Sequence, residues 1–335
     1  MTQKTAENKE PPEHKNLPPP SCPVKVGKVF KSINVIGSGA FGVVYCAMGH
    51  NGETCAIKCA VDDPNYRNRE VKVFTRLNHH NCIKMRSHFK SKDKKYDRTI
   101  ENIVMEYLPD SLQNYDRQLA QNNEHLPIWM VKLFAYQMFC GLRHMHTIGY
   151  IHRDIKPANL LIDVDAGILK LCDFGSSKRP KPGQTCKSYV GSRPYRAIEC
   201  ILGSETYGAP IDIWSAGCVI TQMLTGVNPI FAASSTEELT NSIIHFLGTP
   251  SKEDIQDMEV KWNPPKIHKK LLIESHLPKH TPNDIIDLLN HIFVYSPKKR
   301  LTAEQCMKHK CFAELFTMKT LPNGNPMPKL DEVPQ

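Results

Sequence analysis

IHRDIKPANLLID, residues 151–163, follows a long helical pattern and runs into the apolar Leu160, Leu161 and Ile162. In between, His152, Arg153, Asp154, Lys156 and Asn159 crowd into a single loop. A purely structural loop has little need of so many ionisable and amide groups, which are costly to bury without partners. Asp154 is placed to accept or orient a hydroxyl proton and Lys156 to neutralise a transferring phosphoryl group. Asn159 can offer an amide oxygen to a divalent cation. A short strand, ILKLC, then delivers Asp173 in DFG, a second oxygen ligand of the kind Mg2+ takes. Either segment alone is suggestive; in succession they point to phosphoryl-transfer chemistry.

Upstream, VIGSGAFGVV (35–44) carries Gly37, Gly39 and Gly42. A G-x-G-x-x-G by itself is weak, because several phosphate-binding loops share it. A dinucleotide fingerprint must open a helix, whereas here Val43, Val44 and Tyr45 continue as a strand, turn at Asn51-Gly52 and return through TCAIKCA. The pattern is a glycine-bent hairpin whose amides can cover phosphates; a strained hairpin without a ligand would use the same glycines. Lys58 lies in the apolar strand CAIKC, and Glu70 precedes Val73, Phe74 and Leu77 at helical spacing, on an inward-facing stripe. Each is expensive there unless it meets an opposite charge, so the two are expected to pair. A snorkelling strand lysine is the plain alternative for Lys58. Arg69, one residue before Glu70, falls about 100° round the helix and faces a cleft or solvent.

Composition sets outer limits. The chain has 335 residues, 40% hydrophobic and 23% charged, enough for two domains or one bilobal unit. The net charge of +9 comes from dispersed basic residues and fits anionic ligands or substrates without singling out nucleic acid. The densest basic run, Lys90, Lys92, Lys94 and Lys95, reads as a solvated loop. The twelve cysteines include no C-x-x-C pair and read as buried thiols in a reducing compartment. With no apolar leader and no long apolar run, a cytoplasmic protein, also able to be nuclear, is expected, without membrane or nucleic-acid partners. Residues 1–27, polar and proline-rich, are expected to be a disordered tail. From 28 to 107 short apolar runs predict a small, mainly antiparallel β lobe with one helix over about 68–78. From 108 to 316 longer periodic segments predict a larger, mainly α lobe, and 317–335 a proline-rich extension laid over the surface or disordered. The fold class is α+β.

With these segments in hand, the chain resembles a eukaryotic protein kinase from about Phe30 to Phe316. Within that group it is similar to the glycogen synthase kinase-3 family, through NREVKVFTRLNH, HRDIKPANLLID, LKLCDFGSSK, GSRPYRAIE, IDIWSAGCVITQML, FLGTP and LPNGNPMP. The resemblance implies a bilobal serine/threonine kinase using ATP and Mg2+, with nucleotide in the cleft between lobes. Gly37, Gly39 and Gly42 would then cover the phosphates, and Ile36, Val44, Ala56, Leu161 and Cys172 would wall the adenine. Met105 would be the gatekeeper, with Glu106 and Leu108 giving hinge hydrogen bonds. Lys58 and Glu70 would be the ion pair of the active state, Asp154 the catalytic base, and Asn159 and Asp173 the metal ligands. Glu199 would pair with Arg300.

The same resemblance explains Arg69. With Arg153 and Lys178 it would form a pocket for a phosphate already on the substrate, four residues C-terminal to the target. Tyr189 would be an autophosphorylated activation-segment tyrosine, and protein substrates would be pre-phosphorylated. Pro194 and Ile198 depart from the family, which usually has tyrosine and proline there, so preference next to the target residue is open. The tail lacks R-x-x-S and R-x-x-T, so inhibitory pseudosubstrate phosphorylation is not expected. The segment after FLGTP lacks the aromatic-rich stretch with which relatives dock scaffold proteins, so scaffold partners are carried over only weakly. A pseudokinase scaffold should have lost Lys58, Asp154 or Asp173, and all three stand. A kinase of the cyclin-dependent or mitogen-activated groups should show a cyclin-helix signature or a T-x-Y, and neither is present.

Overall fold

The computed structural model describes residues 30–332 except 40–41, 63–68, 95, 182, 187, 189, 227 and 266–270. The expected N-terminal tail, the start of the predicted helix at 68 and Tyr189 lie outside the described residues. Contacts divide the chain into two compact units, Met1–Asn68 with Met85–Tyr107, and Arg69–Lys84 with Leu108–Gln335. A curled antiparallel sheet in the first and helices in the second give the bilobal kinase fold expected from sequence.

The first unit is one sheet in the order β1-β2-β3-β5-β4, formed by β1 (Phe30–Gly39), β2 (Gly42–Gly49), β3 (Thr54–Val61), β4 (Met85–Asp93) and β5 (Arg98–Glu106). Strand residues alternate between faces. Cys55, Ile57 and Cys59 of β3 pack with Ala47, Ile100 and Val104 into a core that Phe30, Tyr45, Val61 and Phe89 close. Lys90 and Lys92, read from sequence as a solvated loop, belong to β4 instead. They sit on an edge strand, where lysine discourages pairing with another chain. Phe89 of the same strand stacks on Phe30 at 6.4 Å, and that apolar face is what holds the segment as sheet.

In the second unit, α1 spans only Glu70–Phe74, shorter than the helix predicted over 68–78. The Arg76 amide reaches back only three residues, to Val73, and the Leu77 amide is shared between Val73 and Phe74, a tightening that ends the helix. So short a helix cannot sustain itself in water; Val73 and Phe74 bury its inner face. By its contacts it groups with the helical unit rather than with the β segment that encloses it in sequence.

A small sheet β6-β7-β8 (Asp110–Ser111, Leu160–Asp163, Ile168–Leu171) flanks the helices. The sequence reading passed over α2 (Leu112–Gln121), capped by Ser111 through the Asn114 amide. α3 (Ile128–Thr147), preceded by Pro127, packs on α5 (Pro210–Thr225), which opens on its proline. The short α4 is Ile198–Ile201, followed after α5 by α6 (Thr236–Leu247), α7 (Lys252–Asp257), α8 (Asn283–Ile292) and α9 (Ala303–Met307). Trp214 of α5 is the centre of an aromatic core, stacked on Phe231 at 5.7 Å and edge-on to Phe293 at 5.3 Å. The C-terminal extension lies along the second unit, with Leu321 buried. No helix among the described residues is long and apolar enough to cross a membrane.

Candidate active site

The loop 151–159 is held from beneath by an acid that sequence reasoning did not single out. Asp212, in the first turn of α5 and completely buried, accepts the His152 and Arg153 amides on its two oxygens, each at 2.8 Å, and pairs with His146 Nε2 at 2.8 Å. Burial by itself would raise this carboxyl, but the hydrogen bond and charge of His146, with His152 and the Arg153 amide, hold it below the usual carboxylate range. Its signal was present as a lone acid in the apolar run PIDIWSAGCVITQMLTG, although its partners were not legible. Arg153 adopts φ 70°, a left-handed conformation uncommon outside glycine, which turns the chain sharply before Asp154.

Asp154 is buried and its carboxylate is filled from three sides. Lys156 Nζ lies 2.9 Å from Oδ2, and Asn159 Nδ2 donates to Oδ2 at 3.0 Å and to the Asp154 carbonyl at 2.8 Å. The Ser192 amide and hydroxyl donate to Oδ1 at 2.9 and 3.0 Å, while the same hydroxyl accepts from Lys156 Nζ at 2.9 Å. Gly191, at φ 74°, makes this approach feasible: a Cβ there would stand 2.5 Å from the Arg153 carbonyl. Ser192 is the second residue missed from sequence. Nothing in its local pattern tells that it returns to the loop carrying Asp154.

Asn159 spends both amide hydrogen bonds on Asp154, which turns its carbonyl oxygen away as the donor a hard divalent cation prefers. The Cys172 amide donates to the Asn159 main-chain oxygen at 3.0 Å and brings the residue before Asp173 beside it. Asp173 takes φ 57°, again left-handed, and turns the chain out of β8 into the turn Phe174–Ser176. Phe174 is fully buried between Phe74 of α1, edge-on at 5.2 Å, and His152, at 5.6 Å. His152 Nε2 lies 2.9 Å from the Cys172 carbonyl. A column thus runs from α1 through Phe174 and His152 to Asp212.

The three residues assigned to a phosphate pocket belong to this unit. Ile151 and Lys178 exchange backbone hydrogen bonds at 2.8 and 3.0 Å, which sets Lys178 beside the loop carrying Arg153. Arg153 Nε donates to the Ser176 carbonyl at 2.6 Å and its NH1 to the Tyr207 hydroxyl at 3.2 Å. Burial pushes that phenol up to about 12, against the pull of Arg153, so it stays protonated and accepts. Lys178 Nζ donates to the Thr185 carbonyl at 2.8 Å. Arg69 is exposed at the N-cap of α1.

Further along, Arg300 NH1 and NH2 reach Glu199 at 2.7 and 3.1 Å, both residues buried, and Arg300 also covers the Trp214 ring at 5.0 Å. The Glu199 to Arg300 pair expected from sequence is present. Pro194 lies in the turn Arg193–Tyr195, and Ile198 opens α4 fully buried. Of the residues named for the nucleotide, Leu161 is half-buried on β7 and Cys172 half-buried after β8, while Leu108 opens the second stretch of this unit.

In the first unit, register decides which residues share a face. Lys58 stands opposite Val44 and Ile103, and Ala56 opposite Cys46 and Met105. Val44, Ala56, Lys58 and Met105 therefore share the face turned away from the Ile57 and Val104 core. Gly37 pairs with Val44 and Gly39 with Gly42, and Ile36 is exposed. Gly42 is obligatory: at φ 128° a Cβ would lie 2.2 Å from the Cys59 carbonyl. Lys58 and Glu70 are both buried, Lys58 within β3 and Glu70 as the first residue of α1, and Glu106 ends β5.

The sequence model of the protein kinase domain matches residues 30–312, and this chain belongs to the protein kinase family. It is accordingly an ATP-binding phosphotransferase acting on protein substrates and using a divalent metal.

Proposed function

We propose that this chain is a serine/threonine kinase of the glycogen synthase kinase-3 family, active with ATP and Mg2+ on protein substrates primed by a phosphate four residues C-terminal to the target. The observation that carries the choice of an alcohol acceptor is Ser192, whose hydroxyl touches both Asp154 and Lys156. An incoming serine or threonine hydroxyl in that position would give its proton to Asp154 as its oxygen attacks phosphorus, while Lys156 offsets charge on the transferring group. Bound Mg2+ would neutralise the nucleotide phosphates, held by the Asn159 amide oxygen and the Asp173 carboxylate. Lys58, with Glu70 as its assigned counter-charge, would bind phosphate oxygens under the loop of Gly37, Gly39 and Gly42. Catalysis is then mostly positioning and charge neutralisation.

Priming is supported by the backbone pair between Ile151 and Lys178, which sets Lys178 beside the loop carrying Arg153, and by the exposed Arg69 at the helix start. A phosphoserine carries about −1.5 to −2 charge and makes charge-assisted hydrogen bonds with such a set. Tyr189 is assigned as a site of autophosphorylation. The test uses matched peptides with and without phosphoserine at the fourth position after the target. The primed peptide should be phosphorylated at least ~10-fold more efficiently, Arg69→Ala should erase most of that difference, and Asp154→Asn should lower kcat by ~100-fold or more on either peptide. Equal rates on both peptides would remove the priming reading; an undiminished Asp154→Asn variant would remove the assigned base.

A further inference from the structure

The C-terminal extension is fastened at two places. Near its start Leu321 is buried against Gly167 and Leu133, and the side-chain amides of Asn323 and Asn325 both donate to the Asp165 carbonyl, at 2.9 and 2.8 Å. Near its end Asp331 meets the turn that follows α1. Its carbonyl accepts the Tyr136 hydroxyl, Oδ2 lies 2.7 Å from His79 Nε2 and 3.2 Å from Arg143, and Oδ1 lies 3.4 Å from His80 Nε2. The imidazole of His79 stacks on His80 at 4.4 Å and on His144 at 5.0 Å, and His144 Nε2 accepts the Asn78 amide at 3.3 Å.

Two histidines and a carboxylate could equally form a transition-metal site, and the hydrogen bonds decide between the two. The Asn81 amide donates to His79 Nδ1 at 3.1 Å, so Nδ1 carries no proton and Nε2 carries the one that goes to Asp331. A metal on Nε2 of a neutral imidazole would need that proton on Nδ1, facing the Asn81 N–H. The cluster is therefore a hydrogen-bonded clasp with Arg143 as its cation.

What the clasp holds is close to the reaction. Residues 78–83 join α1 to the rest of the second unit: the Leu171 amide donates to Asn81 and the Ile83 amide to Leu171, each at 2.8 Å, two residues before Asp173. On the other side Phe74 leans on Phe174. We propose that residues 321–332 are a strap and that Asp331 is a positioning residue, fixing the turn after α1 and through it the placement of Glu70 and Phe74. The consequence for catalysis rests on the reading of Glu70 given above.

The experiment compares the full chain with Asp331→Ala and Asp331→Asn by amide hydrogen exchange and by initial rates against ATP and peptide. Asp331→Ala should speed exchange over residues 78–83 by ~10-fold while α5 keeps its protection, and should lower kcat/KM for ATP several-fold with peptide KM unchanged. Asp331→Asn keeps an acceptor for His79 and loses the charge facing Arg143, so it should fall between. Unchanged exchange over 78–83, an equal rise in α5, or faster exchange with unaltered kcat/KM for ATP would each overturn the proposal. An inactive wild-type chain would refute the kinase reading instead, and the exchange comparison would still decide whether the clasp exists.

Discussion

A carboxylate buried in an apolar helix costs several kcal/mol unless its lone pairs are filled, and at Asp212 two main-chain amides and His146 fill them. Replacing Asp212 with Ala strands those amides in the core. Each buried orphan costs about 1–3 kcal/mol, so urea denaturation should show a loss of ~3 kcal/mol or more, accompanied by a drop in kcat as Asp154 loses its platform. Asp116 on α2 presents the opposite case. It is buried, Gln222 donates to it at 3.4 Å, and burial pushes it up to about 7 against the pull of that hydrogen bond. A carboxyl raised in the folded state stabilises most below its unfolded value and loses that contribution as pH rises towards the folded one. Asp116→Asn should therefore leave stability at pH 4 nearly unchanged and raise it at pH 8, by a few kcal/mol at ~1.4 kcal/mol per pKa unit, as read by denaturation at both values. Among single residues, Asp154, Asn159 and Asp173 were legible because their chemistry is packed into short stretches. Asp212 and Ser192 were not, since each acts on partners distant in sequence.

Elements show how far periodicity carries. α3, α5, α6 and α8 fall where apolar spacing and flanking Pro or Gly place them. α1 is shorter than its pattern, because the 3.6-residue stripe continues to Leu77 while the backbone has already tightened. β4 was misread because its outward lysines masked the inward Phe89. α4 depends on a tertiary partner: Glu199 in its first turn is held by Arg300, with both side chains almost wholly excluded from solvent. Removing one member of such a pair leaves an uncompensated buried charge, so Arg300→Ala should destabilise by about 3–5 kcal/mol in urea, whereas an exposed pair such as Lys308 with Glu304 should contribute little.

For the molecule as a whole, the titrating groups divide into two opposing sets. Burial holds His79, His144 and His309 below the ordinary histidine value, with Asp331 opposing it at the first two and Asp287 at the third. A histidine lowered in the folded state contributes stability above its unfolded value of 6.5 and loses it as pH falls. Asp212 and Asp331, held low by their partners despite burial, lose theirs only on further acidification below about pH 4. Asp116 works the other way between pH 4 and 7. Measured by denaturant from pH 8 to pH 4, Asp116→Asn should therefore lose stability relative to wild type as the pH falls, by a few kcal/mol at ~1.4 kcal/mol per pKa unit; parallel curves would show that Asp116 titrates normally. The sequence by itself determined the two-part α+β architecture and marked Asp154, Asn159 and Asp173 as candidates for catalysis and metal binding, because these depend on local periodicity and on residues adjacent along the chain. Tertiary structure alone decided that Ser192 and Asp212 brace Asp154, that Val44, Ala56, Lys58 and Met105 share one face of the sheet, and that Asp331 closes on His79. These are contacts between segments far apart in sequence, made only when packing and strand register bring the segments together.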